Sequence, residues 1–215
     1  MTGDRSRPAV FGADEQSARP IEVGRWVALA EAVLAAEGVR GPAEVSLLFV
    51  GEEAIADLNQ RFLGRDGPTD VLAFPIDDEP APAGRFPDSG GAGPGWVPPA
   101  PEELPLLLGD VVICPEVAWR HAGEQSAPAA QPGPPAPTGS PARPGSPGPD
   151  SASDPDASAY QDELALLVVH GLLHLQGMDH EDEAEAEAME ARERELLGRF
   201  HGGHAPTRSR PALPS

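Results

Sequence analysis

Apolar residues recur along this chain with two different periods, which predict a mixture of helices and strands. Between Val23 and Glu37 they recur at every third or fourth position and stop before Gly38, which predicts an amphipathic helix with a glycine end signal. A second helix is predicted over Glu52 to Phe62, with acidic residues in its first turn. Short apolar runs predict strands over Val45 to Val50, Val71 to Phe74 and Val111 to Cys114, with an edge strand over Arg7 to Phe11.

The most apolar helical segment is predicted to run from Asp162 to Gln176. Its residues 164–169 are all apolar, so this helix is predicted to be buried. Helices and strands that alternate around a buried helix are typical of an α/β (α+β) layer fold. We therefore predict one domain over residues 7–200.

Prolines are distributed very unevenly along the chain. Of 27 prolines, nine lie between Pro75 and Pro105 and ten between Pro128 and Pro155, in stretches with few large apolar residues. Such stretches cannot bury enough surface to offset the entropy of ordering. Residues 80–103 and 123–158 are therefore predicted to be disordered insertions, and residues 201–215 a disordered tail.

Composition predicts a cytoplasmic protein. A single cysteine, Cys114, excludes an internal disulfide and suits a reducing compartment. No stretch approaches the roughly 20 apolar residues of a membrane span, and residues 1–5 begin no signal peptide, so no membrane association is expected. The formal charge of −20 disfavours a broad nucleic-acid surface. Eight acids between Glu181 and Glu195 lie on one predicted helix, however, so the acidic excess can be kept away from an arginine-lined cleft.

Three histidines in the segment HGLLHLQGMDH, residues 170–180, have the spacing of ligands for one metal ion. His170 and His174 stand at i and i+4 on the buried helix and share one face. Gly177 is predicted to end the helix in the left-handed conformation, so that the chain turns back and His180 completes a three-nitrogen site. Three nitrogens with an open position for water are typical of catalytic zinc, so we predict one Zn²⁺ per chain, at the C-terminal end of the buried helix.

The spacing HxxxHxxGxxH also occurs in zinc proteases of the HExxHxxGxxH type. Those proteases carry a glutamate after the first histidine as the general base, and here that position is Gly171. Glycine cannot accept a proton, so a metalloprotease-like hydrolase is the weaker alternative within the enzymes.

The histidine segment closely resembles the HGxLHLxGyDH signature of the YbeY family, bacterial metal-dependent endoribonucleases that act in ribosomal RNA maturation. Residues 58–75 are similar to that family's LNxxyRxxdxpTDVLSFP segment, and residues 108–114 to its lGDIvI strand. The chain departs from the family at Leu63, where many members have an arginine, and at Ala73, where they have a serine.

The resemblance implies a small mixed sheet covered by helices. It also implies a single-strand-specific, zinc-dependent endoribonuclease acting in 16S rRNA 3′-end maturation, ribosome biogenesis and ribosome quality control. The implied partners are ribosomal RNA, the small ribosomal subunit, a small-subunit ribosomal protein and an assembly GTPase. Because the chain is acidic, we expect weak, salt-sensitive binding of isolated RNA. A non-catalytic ribosome-assembly factor with a structural metal is the alternative outside the enzymes.

The predicted catalytic residues are the three histidines and two carboxylates, Asp70 and Asp179. Each carboxylate is a candidate general base, as is metal-bound hydroxide, and each is also a candidate for orienting a histidine ring, the role that we favour. Arg61 and Arg65 are candidate replacements for the family's substrate-binding arginine, because a guanidinium group suits phosphate. Thr69, within the TDVLAFP block, is the third candidate for binding substrate.

Overall fold

The computed structural model describes residues 8–76, 105–126, 157–178 and 182–202. In chain order these form β1 (Ala9–Asp14), α1 (Val23–Ala36), β2 (Ala43–Phe49), α2 (Glu52–Leu63), β3 (Val71–Pro75), β4 (Leu106–Ile113), α3 (Pro115–Ser126), α4 (Ala157–Leu175) and α5 (Glu183–Phe200). Each predicted strand and helix is present, with ends that differ by a few residues. β4 starts at Leu106, five residues before the predicted start at Val111. The prediction began too late because Gly109 and Asp110 interrupt the apolar run of this strand.

The strands form one mixed sheet in the order β1-β2-β4-β3. β1, β2 and β4 are parallel to one another, and β3 lies antiparallel to β4 at the edge. Parallel neighbours require a crossover connection, which α1 supplies between β1 and β2. The fold is therefore of the α/β class with a small mixed sheet and surrounding helices, as predicted.

Each face of the sheet has its own apolar core, because successive strand residues point to opposite faces. Val45 and Leu47 of β2 belong to the larger core, together with residues of α1, α4 and α5. On the other face, Leu72 of β3 packs with Ile55 of α2 in a smaller core. α4 lies at the centre of the larger core, and residues 164–169 are all buried, as their apolar sequence predicts.

Cys114 follows β4 and belongs to the smaller core. Its side chain is fully buried, and this burial raises the pKa of the thiol. A buried thiol with a raised pKa is a poor nucleophile, so Cys114 is a packing residue. Among the described residues, no helix combines the length and the apolar character that crossing a membrane requires.

The structure corrects the predicted boundaries of the second insertion and the tail. α3, which the sequence pattern did not predict, extends to Ser126, and α4 begins at Ala157, so the insertion predicted over 123–158 is too wide at both ends. His201 and Gly202, assigned to the tail, complete the end of α5, and both backbone amides donate to the carbonyl of Leu197. The rest of these segments, and the insertion predicted over 80–103, lie outside the described residues.

Candidate metal centre

α4 ends in a Schellman motif, which confirms the prediction that Gly177 ends the helix in the left-handed conformation. This glycine has φ +82°, in the left-handed region. The amide of Met178 donates to the carbonyl of Leu173 at 3.1 Å, and the amide of Gly177 donates to the carbonyl of His174 at 3.0 Å. The helix therefore ends within one turn of His174.

His170 and His174 face each other at the C-terminal end of α4. Their Nε2 atoms are 3.1 Å apart, and their ring planes meet at 87°. Two nitrogens bound to one tetrahedral zinc ion at its usual bond length lie about 3.3 Å apart, so the observed spacing fits a shared ion. His180 and Asp179, the predicted third ligand and one predicted carboxylate, lie outside the described residues, so their roles stay predictions.

Glu193 of α5 orients the first of these imidazoles. Its Oε1 atom lies 2.6 Å from Nδ1 of His170, and the two side chains are only 11% and 17% exposed. Because a carboxylate accepts hydrogen bonds, Nδ1 carries the proton in the neutral ring, and Nε2 then keeps its lone pair towards His174. A carboxylate behind a histidine ligand is a common arrangement at metal sites, where it fixes the tautomer and the ring orientation.

The sequence did not assign a role to Glu193, although a signal for it is present. The residue belongs to the run of eight acids on the predicted helix that follows the histidine segment. Met189, four residues earlier, and Leu196 and Leu197, three and four residues later, are buried and define the apolar stripe of α5. Glu193 is 8% exposed and lies on this stripe, so it is a buried acid that requires a partner.

Gly171 faces the sheet and not the pair of imidazoles. A Cβ atom built on this residue would lie 2.5 Å from Cγ1 of Val111 in β4. α4 therefore approaches the sheet so closely that position 171 has no room for a side chain. A glutamate in this position, as in the HExxH proteases, would be directed into β4.

Asp70 contacts a histidine other than the predicted zinc ligands. Its Oδ2 atom is 3.2 Å from Nδ1 of His121 on α3, and one ligand atom from each of Asp70, His121 and Glu163 lies within 4.8 Å of the others. Glu163 precedes His170 by seven residues of α4, which corresponds to about 10 Å along the helix axis. The two roles predicted for Asp70, as a group that orients a zinc ligand and as a base, stay predictions.

The predicted substrate-binding residues lie in two places. Arg61 and Arg65 are exposed at the end of α2 and just after it, and the guanidinium of Arg61 is 5.6 Å from the ring centroid of Phe62. The ring of Phe62 contacts that of Phe74 at the far end of β3, with centroids 4.9 Å apart. Thr69 precedes β3, and its hydroxyl donates a hydrogen bond to Oδ1 of Asp70 at 3.2 Å.

The end of α2 lies near the same end of the edge strand as the imidazole pair. Gly109 of β4 is packed between Phe74 and Leu175, since a Cβ atom on it would collide with the carbonyl oxygen of Phe74 and lie 3.0 Å from Cδ2 of Leu175. Leu175 directly follows His174 in α4. Phe74 therefore contacts Phe62 at the end of α2 and lies close to the C-terminal end of α4, where the imidazole pair is.

Known proteins match this chain over most of its length. The family model for endoribonuclease YbeY matches residues 13–131 and 150–201, which include every element from α1 to α5. Endoribonuclease YbeY of Frankia casuarinae is 34% identical over 194 residues, covering 90% of this chain and 75% of that protein. Endoribonuclease YbeY of Salinispora tropica is 35% identical over 195 residues, covering 91% and 96%. The solution structure of TM1509 from Thermotoga maritima covers 96% of this chain and 99% of that chain, with a TM-score of 0.45 and 20% identity.

Proposed function

The chain belongs to the endoribonuclease YbeY family, and we propose that it is a zinc-dependent endoribonuclease that cleaves single-stranded RNA. Its place of action would be the cytoplasm, in 16S rRNA 3′-end maturation, ribosome biogenesis and ribosome quality control. Beyond family membership, one observation carries the proposal. The Nε2 atoms of His170 and His174 converge, and Glu193 fixes the tautomer that lets His170 act as a ligand.

His170 and His174 would hold the zinc ion, with His180 as the predicted third ligand. A zinc ion bound there supplies Lewis acidity towards a phosphodiester oxygen and lowers the pKa of a coordinated water. The protein's own contribution is orientation. Glu193 keeps the proton of His170 on Nδ1, so the Nε2 lone pair stays directed towards the metal position. The burial of this contact keeps water from competing for it.

The end of α2 has the chemistry of a surface for single-stranded RNA. The guanidinium groups of Arg61 and Arg65 suit phosphates, and the ring of Phe62, which is 59% exposed, suits stacking of an unpaired base. Leu63, which replaces the family's arginine, is 54% exposed and extends the apolar part of this surface. An unpaired strand offers both phosphates and base faces, so this combination supports a preference for single strands over duplexes.

The acidic surface of the protein supports a dependence on ribosomal partners. Five glutamates of α5 are exposed to solvent, namely Glu183, Glu185, Glu187, Glu190 and Glu195. Negative charge on a neighbouring helix repels RNA over roughly 8–10 Å at physiological salt, so free RNA should bind weakly. We therefore propose that the small ribosomal subunit, with a small-subunit ribosomal protein and an assembly GTPase, presents the substrate.

The variant His174→Ala tests the proposed activity, with His201→Ala as a matched control. His201 is also a histidine in contact with a carboxylate, with Nε2 2.7 Å from Oδ1 of Asp162, but Asp162 lies in the N-terminal part of α4. Loss of a carboxylate behind a zinc ligand typically costs 10–100-fold, so loss of a ligand should lower RNA cleavage by more than about 100-fold. The control should retain cleavage.

Cleavage of a labelled single-stranded ribosomal RNA fragment by the zinc-loaded full chain is the measurement. Undiminished cleavage by folded His174→Ala would contradict the proposal. Hydrolysis of casein that falls in the same variant would instead indicate a protease. A variant that unfolds, judged by circular dichroism, would show a structural metal and favour the assembly-factor alternative.

A further inference from the structure

We propose that Asp70, His121 and Glu163 form a second metal site, which binds a divalent transition-metal ion such as Mn²⁺ or Zn²⁺. The three residues come from the start of β3, from α3 and from α4, and one ligand atom of each lies within 4.8 Å of the others. Nδ1 of His121 and Oδ2 of Asp70 are 3.2 Å apart. Adjacent ligands of an octahedral ion with bonds of about 2.1 Å are separated by about 3.0 Å, so this pair fits one coordination sphere.

The burial of two acids at one point is the main reason to expect a cation. Glu163 is 1% exposed and Asp70 is 8% exposed. Two carboxylates taken out of water beside each other repel and lose their hydration, which is costly unless positive charge lies between them. A divalent ion bound by both carboxylates balances both negative charges.

The carboxylate of Asp70 is held in position before any ion binds. Its Oδ1 atom accepts hydrogen bonds from the amide of Val71 at 2.9 Å and from the hydroxyl of Thr69 at 3.2 Å. Its backbone carbonyl accepts the amide of Cys114 at 2.8 Å. Oδ2 is thereby directed towards His121, and a donor fixed in advance loses little freedom on binding.

The donor set and the exposure of the site indicate which ions fit. One imidazole with two carboxylates suits Mn²⁺, Fe²⁺ or Zn²⁺, whereas Ca²⁺ prefers oxygen ligands alone. The side chain of His121 is 42% exposed, so solvent reaches the site from the side of α3. Water can therefore occupy the coordination positions that the three side chains leave open.

The second ion would not act together with the first on one phosphodiester. Glu163 and His170 are about 10 Å apart along α4, whereas two-metal hydrolases place their ions about 3.5–4 Å apart. The second ion instead joins three elements of the fold at a single point. This inference does not depend on RNA cleavage, and its test reports metal binding alone.

Titration of the full chain with Mn²⁺, after one equivalent of zinc has been loaded, tests the proposal. Free Mn²⁺ is measured by electron paramagnetic resonance, and total metal by elemental analysis. We expect one further site, weakened by at least about 10-fold in His121→Ala and in Glu163→Gln, with the first zinc equivalent retained. Glu187→Gln is the matched control, because it removes the same charge from the exposed face of α5.

Two outcomes would overturn the proposal. One is the absence of a second equivalent in the folded wild-type chain. The other is a second equivalent whose affinity is the same in His121→Ala, Glu163→Gln and Glu187→Gln, since that is adsorption to an acidic surface. If the buried Glu163→Gln variant does not fold, the partly exposed His121→Ala variant decides the question alone.

Discussion

The two halves of α4 carry histidine sites of opposite charge character. In the C-terminal half, His170 and His174 offer two imidazole nitrogens, and the carboxylate of Glu193 accepts a hydrogen bond from the far side of the His170 ring. In the N-terminal half, Glu163 meets Asp70 and His121, so that two carboxylates and one nitrogen converge. In the C-terminal half the carboxylate contacts a histidine ligand, whereas in the N-terminal half the carboxylates are themselves the candidate ligands.

This difference separates the chemistry that each half supports. An ion held by neutral imidazoles keeps its double positive charge and can polarise a phosphodiester or a bound water. An ion held by two carboxylates is electrically neutralised by its own ligands, so its main effect is to join the elements that supply them. The same helix can therefore carry a catalytic centre and a structural clamp about two turns apart.

Glu193→Gln should have a large effect and should affect only the site in the C-terminal half of α4. The amide oxygen can still accept from Nδ1 of His170 but lacks the charge that strengthens that ring as a ligand. We expect zinc affinity to fall by about 10–100-fold, and the site at Glu163 to keep its affinity for Mn²⁺. Competition with a chromophoric chelator measures the zinc affinity, and Glu190→Gln, on the exposed face of α5, is the control. Equal zinc affinity in both variants would show that Glu193 does not tune the ligand.

Gly171→Ala should perturb both halves of α4, because the added methyl group changes how closely this helix packs on the sheet. Its methyl group would lie 2.5 Å from Cγ1 of Val111, so we expect a loss of about 2 kcal/mol in the free energy of unfolding. Gly198→Ala is the control, because nothing lies within 4 Å of its added Cβ and a helical Gly→Ala change stabilises by roughly 0.5–1 kcal/mol. Urea unfolding measures both variants. Failure of Val111→Ala to restore part of the loss in the double variant would contradict this packing explanation.

The histidine pair in the C-terminal half of α4 could be predicted from the sequence because the residues that indicate it are close together in the chain. The spacing of His170 and His174 and the stop at Gly177 all lie within eight residues of one helix, where geometry follows from the helical period. Glu193 escaped prediction because the apolar stripe of α5 indicates its burial but not that its partner is His170 of α4. The cluster at the N-terminal half of α4 could not be predicted from neighbouring residues, since His121 is 51 residues from Asp70 along the chain.

The fold was predictable to a similar extent and for the same reason. β2, β3, α1 and α2 each show a regular pattern of apolar residues within their own sequence, and they appear where predicted. α3 was not predicted, since it borders the proline-rich insertion and its burial comes from packing against α4. That omission also hid His121, because a residue assigned to no element cannot be placed beside Asp70.

Replacing residues 127–156 with a short Gly-Ser linker should have the smallest effect. α3 and α4 on either side already pack together, with the rings of Trp119 and Tyr160 5.1 Å apart. Closing a loop costs only about 0.6 kcal/mol per doubling of its length, so shortening it should raise the free energy of unfolding by about 1 kcal/mol at most. Zinc content, RNA cleavage and Mn²⁺ affinity should stay near those of the full chain. Loss of the second ion alone would show that the segment positions α3, and loss of RNA cleavage alone would show that it captures substrate. A chain that does not fold would overturn the prediction that this segment adds no packed surface.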